Sequence, residues 1–325
     1  MLVKGKIICI ICLLCLIITA VFILFGRRSS FAEQSLPIVV TSSQVNQPLL
    51  TNSTQPNVIL TENVTNSGAN SDNKSSVDTG FLPAAARNSQ LKFNIQWAFG
   101  GKSQRGWYIY AKLISHLIGV EASVDSPEFA AALARWQQTA GLPPNGVLDK
   151  ATLAVMVTHW QENRSKLRSN ALPNELTTAP ATDFYDPLRA GELRRLERNT
   201  YAAYKKMVAA AIADKSLNLA TDGKGNLAPT EKFLKIISAF RSREYQNKLR
   251  RETPNSGRAG LAVNSPHFTG RALDIYVGGE PVETKDFNRA FQVQTPAYRW
   301  LVKNAAKFGF KPYFYEPWHW EYAPD

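Results

Sequence analysis

Ser265-Pro-His-Phe-Thr-Gly-Arg-Ala-Leu-Asp-Ile-Tyr276, with Glu316-Pro-Trp-His-Trp-Glu-Tyr322 further on, decides how this chain reads. His267 lies in a loop punctuated by Pro266 and Gly270. Asp274 interrupts an apolar, strand-forming run from Ala272 to Val277. A carboxylate there is costly to bury unless a cation or several donors compensate. Trp318 to Tyr322 reads as a short strand, with His319 on the face opposite Trp318 and Trp320. Neighbouring strands would present Asp274 and His319 side by side, with His267 folding over from its loop. Two imidazoles and one carboxylate close three corners of a zinc tetrahedron and leave the fourth open, as a catalytic zinc requires. Glu316, three residues before His319, is placed to take a proton from attacking water without binding the metal.

Taken singly, each residue has an ordinary explanation: a packed histidine, a strand-edge charge, a surface acid. The other two of the four histidines, His116 and His159, fall in helical stretches and read as structural. The joint occurrence of the set is what points to chemistry. Ser-x-His-x-x-Gly-x-Ala-x-Asp followed by Glu-x-x-His resembles the zinc D-alanyl-D-alanine carboxypeptidases of the VanY type. These belong to the wider group of lysostaphin-type peptidases and the hedgehog signalling domain. The resemblance spans roughly Leu188 to Tyr322. It implies an α+β fold, with a small antiparallel sheet and flanking helices. It implies one catalytic zinc held by His267, Asp274 and His319, with Glu316 as general base. Arg241, in Ser238-Ala-Phe-Arg-Ser242, matches the family arginine that steadies the substrate carbonyl and oxyanion. Ser265 and Gln246 match positions that hold the terminal D-alanine.

Upstream, Trp107 to Ile118 and Glu128 to Gln138 read as amphipathic helices, the second with Phe129, Leu133 and Trp136 on one face. Gly141 can end that helix, and Asp149 can cap a third from Lys150 to Val157. Trp136-Gln137, Gly141-Leu142 and Gly146-Val-Leu-Asp149-Lys-Ala-Thr152 resemble the three-helix peptidoglycan-binding module. A plain helical bundle packed on the second domain is the alternative. Residues 191–214 read as one long helix, with Leu193, Leu196, Tyr204 and Met207 as its buried stripe. Ser242 to Arg250 and Pro296 to Phe308 read as further helices.

Residues 7–25 are apolar but for Thr19 and sit between basic flanks, long enough to span a bilayer or to form the core of a signal peptide. The three cysteines, Cys9, Cys12 and Cys15, all lie there, so the remainder forms no disulfide. Leu13-Leu14 before Cys15 is not the small-residue context of a lipidation site. From Glu33 to Asn88 the chain is rich in Ser, Thr, Asn and Gln, which marks a disordered tether with a reach of roughly 40 Å. The expected organisation is an anchor or signal over 1–32, a tether over 33–88, a helical module over 89–160, a linker over 161–183 and a zinc domain over 184–325.

The net charge of +12 favours polyanions. The apolar N-terminus and the lack of a nucleic-acid motif turn that away from nucleic acid and towards an exported, membrane-tethered enzyme of the cell envelope or periplasm. The expected partners are peptidoglycan stem peptides, cell-wall glycan through 89–160, and the membrane through 7–25. The expected reaction is carboxypeptidase hydrolysis of a stem peptide ending in D-alanine. A peptidoglycan endopeptidase of the same group and an inactive, zinc-bearing wall-binding protein are the alternatives.

Overall fold

The computed structural model describes residues 79–254 and 261–324. The apolar segment 7–25 and most of the expected tether lie outside them. Helix α1 (Leu82–Asn94) leads into a hairpin of β1 (Gln96–Phe99) and β2 (Lys102–Arg105). Helices α2 (Ala111–Leu117), α3 (Pro127–Thr139) and α4 (Lys150–Glu162) follow. Ser126 caps α3 by accepting from Phe129 N, and Asp149 caps α4 by accepting from Thr152 N at 2.8 Å. Gly141, just past α3, takes a positive φ of 70°, the left-handed turn that commonly ends a helix. Buried Gln137 ties the α3–α4 loop together, accepting from Gly146 N and donating to Val147 O.

The helical half starts earlier than its composition suggests. Residues 82–88, read as the end of a tether, form the first turns of α1. Pro83 suits a first turn, where its missing N–H costs nothing. Ala84 and Ala85 bury against Ala130, and Asn88 bonds Gly146 O and Leu148 N. The Asn88 bonds reach 58 and 60 residues along the chain and leave no local periodic signal.

In the C-terminal half, the stretch read as one helix over 191–214 divides. Residues 191–194 form a 3-10 turn, and β4 (Arg195–Glu197) pairs antiparallel with β3 (Leu176–Thr178). Helix α5 (Arg198–Ala213) then begins, capped by the Glu197 carboxylate on Thr200 N at 2.7 Å. The cap and the strand pairing override the helical propensity of the Arg-Arg-Leu run. Of the expected stripe, Leu196, Tyr204 and Met207 are buried, and Leu193 is only partly so.

The central sheet is four-stranded and antiparallel, in the order β5 (Ile236–Ser238), β6 (Ala272–Ile275), β8 (His319–Tyr322), β7 (Phe310–Pro312). Helices α6 (Arg243–Glu252), α7 (Asp286–Gln292) and α8 (Pro296–Asn304) flank it. The described residues are thus a mixture of α-helices and small antiparallel sheets, as the α+β expectation requires.

One hydrophobic core runs through both halves. Phe314, between β7 and β8, sits among rings of the helical half: Phe99 at 4.7 Å, Tyr110 at 5.4 Å and Trp160 at 5.6 Å. Arg289 of α7 is fully buried and donates to Tyr110 Oη, Gln104 Oε1 and Tyr315 O. Residues 161–183, read as a linker, include the buried Ser165 and strand β3. Leu176, Ala179 and Asp183 are buried there as well, with exposed residues between them.

Candidate active site

The site grows from the pairing of β6 with β8. Antiparallel register sets Asp274 opposite His319, with Leu273 opposite Trp320. Strand alternation turns Leu273 and Trp320 into the core and leaves the Asp274–His319 pair on the other face. His267 comes from a 3-10 turn, Pro266–Thr269, capped by Ser265 Oγ and ended by Gly270 at φ 68°. A Cβ at Gly270 would lie 2.9 Å from Glu197 N, so the turn packs on β4 only because that side chain is absent.

Three side chains of the set meet. His267 Nε2 lies 3.3 Å from Asp274 Oδ1, and His319 Nδ1 lies 2.9 Å from the same oxygen. All three residues are buried, and their donor atoms fall within 4.8 Å of one another. Donors bonded at ~2.0–2.1 Å to a tetrahedral zinc stand roughly 3.3–3.4 Å apart. The two spacings to Asp274 Oδ1 are close to that edge, and two imidazoles with one carboxylate are a zinc donor set. The residues present therefore fit the ion.

Each candidate donor is oriented from behind. His267 Nδ1 is 2.6 Å from Ala239 O, so the ring donates there and turns the Nε2 lone pair into the site. Asp274 Oδ2 is ion-paired with Arg241 Nη2, leaving Oδ1 to face the histidines. His319 Nε2 is 3.3 Å from Glu321 Oε1 and donates to that carboxylate, while Nδ1 faces Asp274 Oδ1, to which it donates without a metal and from which its lone pair would turn to a bound ion.

The electrostatics follow from this crowding. Burial, with the Arg241 charge, pushes the His267 imidazole down to about 4. Burial also opposes charge on His319, but hydrogen bonds to Asp274 and Glu321 outweigh it and raise His319 to about 9. For Asp274 the burial penalty is overcome by His267 and Arg241, which hold its carboxyl well below the usual range. Burial pushes Glu316 up to about 8, against the lowering influence of His319. Glu321 moves the other way, to about 2, because His319 and Arg164 outweigh its burial.

A cavity of about 340 Å³ opens over this group. His267, Asp274, His319, Glu316, Arg241 and Ser265 all line it. Glu316 is held by backbone bonds, its N–H to Tyr313 O and its carbonyl accepting from His319 N at 2.9 Å. Arg241 also donates from Nε to Ser238 Oγ at 3.0 Å and from Nη1 to Gln246 Oε1 at 3.4 Å. Gln246 is buried behind the cavity rather than on its wall, its amide shared between Arg241 and Ala262 O. It touches the site through Arg241.

Residues outside the expected set complete the wall. Arg164 and Arg168 line the cavity from the stretch read as a linker, and Tyr313 joins them. No local pattern marks the two arginines. Glu321 was open to detection, since a residue two places after His319 in a strand shares its face.

Residues 194–325 match the VanY family, described as D-alanyl-D-alanine carboxypeptidase. Residues 112–156 match a putative peptidoglycan binding domain. No curated protein matches the chain. Among solved structures, an LdcB LD-carboxypeptidase reported in connection with peptidoglycan recognition aligns at 22% identity and a TM-score of 0.33. That alignment covers 48% of this chain and 71% of that one. The chain is thus similar to the VanY-type carboxypeptidases over 194–325 and to the peptidoglycan-binding module over 112–156.

Proposed function

We propose that the chain is a zinc-dependent D-alanyl-D-alanine carboxypeptidase, removing the terminal D-alanine from peptidoglycan stem peptides. The two family matches support the broader reading, a peptidase acting on peptidoglycan. One observation carries the finer one: His267, Asp274 and His319 turn their donor atoms towards one another, each oriented from behind, with Glu316 on the same cavity wall.

His267, Asp274 and His319 would hold the ion. Zinc bound there supplies a Lewis acid for the scissile carbonyl and lowers the pKa of water to about 7. Glu316 accepts a proton from the attacking water and delivers it to the departing amine. Its burial keeps this carboxylate basic, which suits a group that must both take and give a proton near neutrality. Arg241 fixes Asp274 and presents a cation at the cavity wall, where negative charge develops on the carbonyl oxygen. Ser265 shapes the turn carrying His267 and reaches the cavity.

The cavity favours a peptide with a free carboxylate over an internal bond. Arg168 lines it and donates from Nη1 to the carbonyls of Ser165 and Leu167, at 2.7 and 2.6 Å. Among the described residues it faces no carboxylate at ion-pair distance. A guanidinium so placed suits the terminal carboxylate of a substrate.

The apolar segment 7–25 supports an exported, membrane-tethered enzyme, and the match over 112–156 supports attachment to wall glycan. The function is tested with the full chain in mild detergent and a pentapeptide ending in D-Ala-D-Ala. Loss of one alanine by mass, abolished in Glu316→Gln with zinc content unchanged, supports the reading. Cleavage of cross-linked peptidoglycan alone would move it to an endopeptidase. Bound zinc with neither cleavage would move it to a wall-binding protein.

A further inference from the structure

Glu321 is 1% exposed in its side chain and follows His319 by two residues on the same face of β8. Both of its oxygens are held from the connector that leaves the helical half. Oε1 receives Arg164 Nε at 3.0 Å and Arg164 Nη2, as well as His319 Nε2 at 3.3 Å. Oε2 receives Ser165 N at 3.1 Å. Arg164 is itself aimed by its surroundings. Its Nη1 donates to Gln161 Oε1 at 3.0 Å, on the last turn of α4. Its guanidinium lies over the Tyr313 ring, 3.9 Å from the centroid.

We propose that Arg164 is a positioning residue, which fixes Glu321 so that His319 keeps its Nδ1 lone pair directed into the metal site. The connector thereby sets the affinity of the C-terminal half for its ion. The proposal rests on the reading of His267, Asp274 and His319 as metal ligands.

The physical case is one of orientation. An imidazole can turn about its bond to Cβ, and an acceptor for Nε2–H holds it in one orientation and one tautomer. Glu321 is that acceptor, but a buried carboxylate keeps its place only while its own oxygens are satisfied. Arg164 supplies two of the hydrogen bonds and the countercharge. Among the described residues, the other cations lining the cavity have hydrogen-bond partners of their own. Arg241 is committed to Asp274, and Arg168 bonds backbone carbonyls. Without Arg164, the Glu321 carboxylate loses two of its hydrogen bonds and keeps those from Ser165 N and His319, so it is held less firmly. Lysine at 164 would keep a charge but lose the two-pronged contact, which gives an intermediate case.

The test measures zinc affinity of the full chain by competition with a chromophoric chelator, and the visible spectrum of the cobalt(II)-substituted protein. The expected result for Arg164→Ala is about 10- to 100-fold weaker zinc binding, the usual cost of losing a partner behind a ligand. Arg164→Lys should recover part of that loss. Glu321→Gln should weaken binding similarly. The double variant should be no weaker than the worse single one, because both act through the same hydrogen bond. The cobalt spectrum should change in Arg164→Ala, which general destabilisation away from the ligands would not cause. Zinc binding within twofold of wild type, with an unchanged cobalt spectrum, overturns the inference, as does a double variant whose loss is the product of the singles. Wild-type protein that takes up no zinc overturns the functional reading along with it.

Discussion

Replacing Phe314 with alanine should destabilise the helical and C-terminal halves together. Phe314 is 2% exposed, although it belongs to a loop between strands of the C-terminal sheet. Its ring packs among Phe99, Tyr110 and Trp160 of the helical half, and among Tyr313 and Tyr315 beside it in sequence. Truncating a buried phenylalanine to alanine costs ~3–5 kcal/mol, and loss of favourable ring contacts places this site towards the upper part of that range. A loss of ~4 kcal/mol is a large share of the ~5–15 kcal/mol that holds a domain folded. Urea unfolding followed by tryptophan fluorescence provides the assay. Trp97, Trp107, Trp136 and Trp160 report on the helical half, and Trp300, Trp318 and Trp320 on the other. A continuous core predicts one transition in the wild type, shifted as a whole in the variant. Two separable transitions, with only one displaced, would refute the reasoning. So would a loss below about 1 kcal/mol, since a ring on an exposed contact costs no more than that.

Metal-free protein should lose stability as pH rises from about 6.5 to 9. His319, raised to about 9, contributes stability that is complete below its unfolded value of about 6.5 and is lost as pH climbs through 9. Glu316, raised to about 8, adds a loss of the same sign between about 4.5 and 8, because folding disfavours its charged form. Melting temperatures across this range in chelator should fall, and a flat profile would contradict the charge arrangement. Arg168→Ala should raise KM for a carboxylate-ended peptide about tenfold, as expected for a lost charged contact, and leave kcat nearly unchanged. An amidated peptide should show no difference between the two proteins, and an equal effect on both would remove the carboxylate role.

Local motifs made much of the fold and site legible. A strand-forming run broken by Asp274, and an alternating aromatic strand around His319, announced two strands with a polar pair on one face. The register then set those residues opposite each other. The cap at Asp149 and the turn at Gly141 likewise act within a few residues of the helices they bound. What stayed hidden depends on contacts distant in sequence. Arg164 meets Glu321 across 157 residues, and composition alone reads its surroundings as a linker. Ala84, Ala85 and Asn88 belong to a helix because α3 and the Gly146 turn lie against them. Gln246 matches a substrate-holding position, yet its amide is occupied by Arg241 and Ala262 O, which only the folded chain can reveal. The shared core around Phe314 is of the same kind, since an aromatic run beside a strand does not say which half will cover it.

The most direct test of the central claim is alanine release from a D-Ala-D-Ala pentapeptide by the full chain, measured before chelation, after chelation and after zinc is restored. One alanine should be lost per peptide, with release abolished by the chelator and recovered at one zinc per chain. Release that survives complete removal of metal would contradict it, as would a protein carrying stoichiometric zinc that leaves the peptide intact.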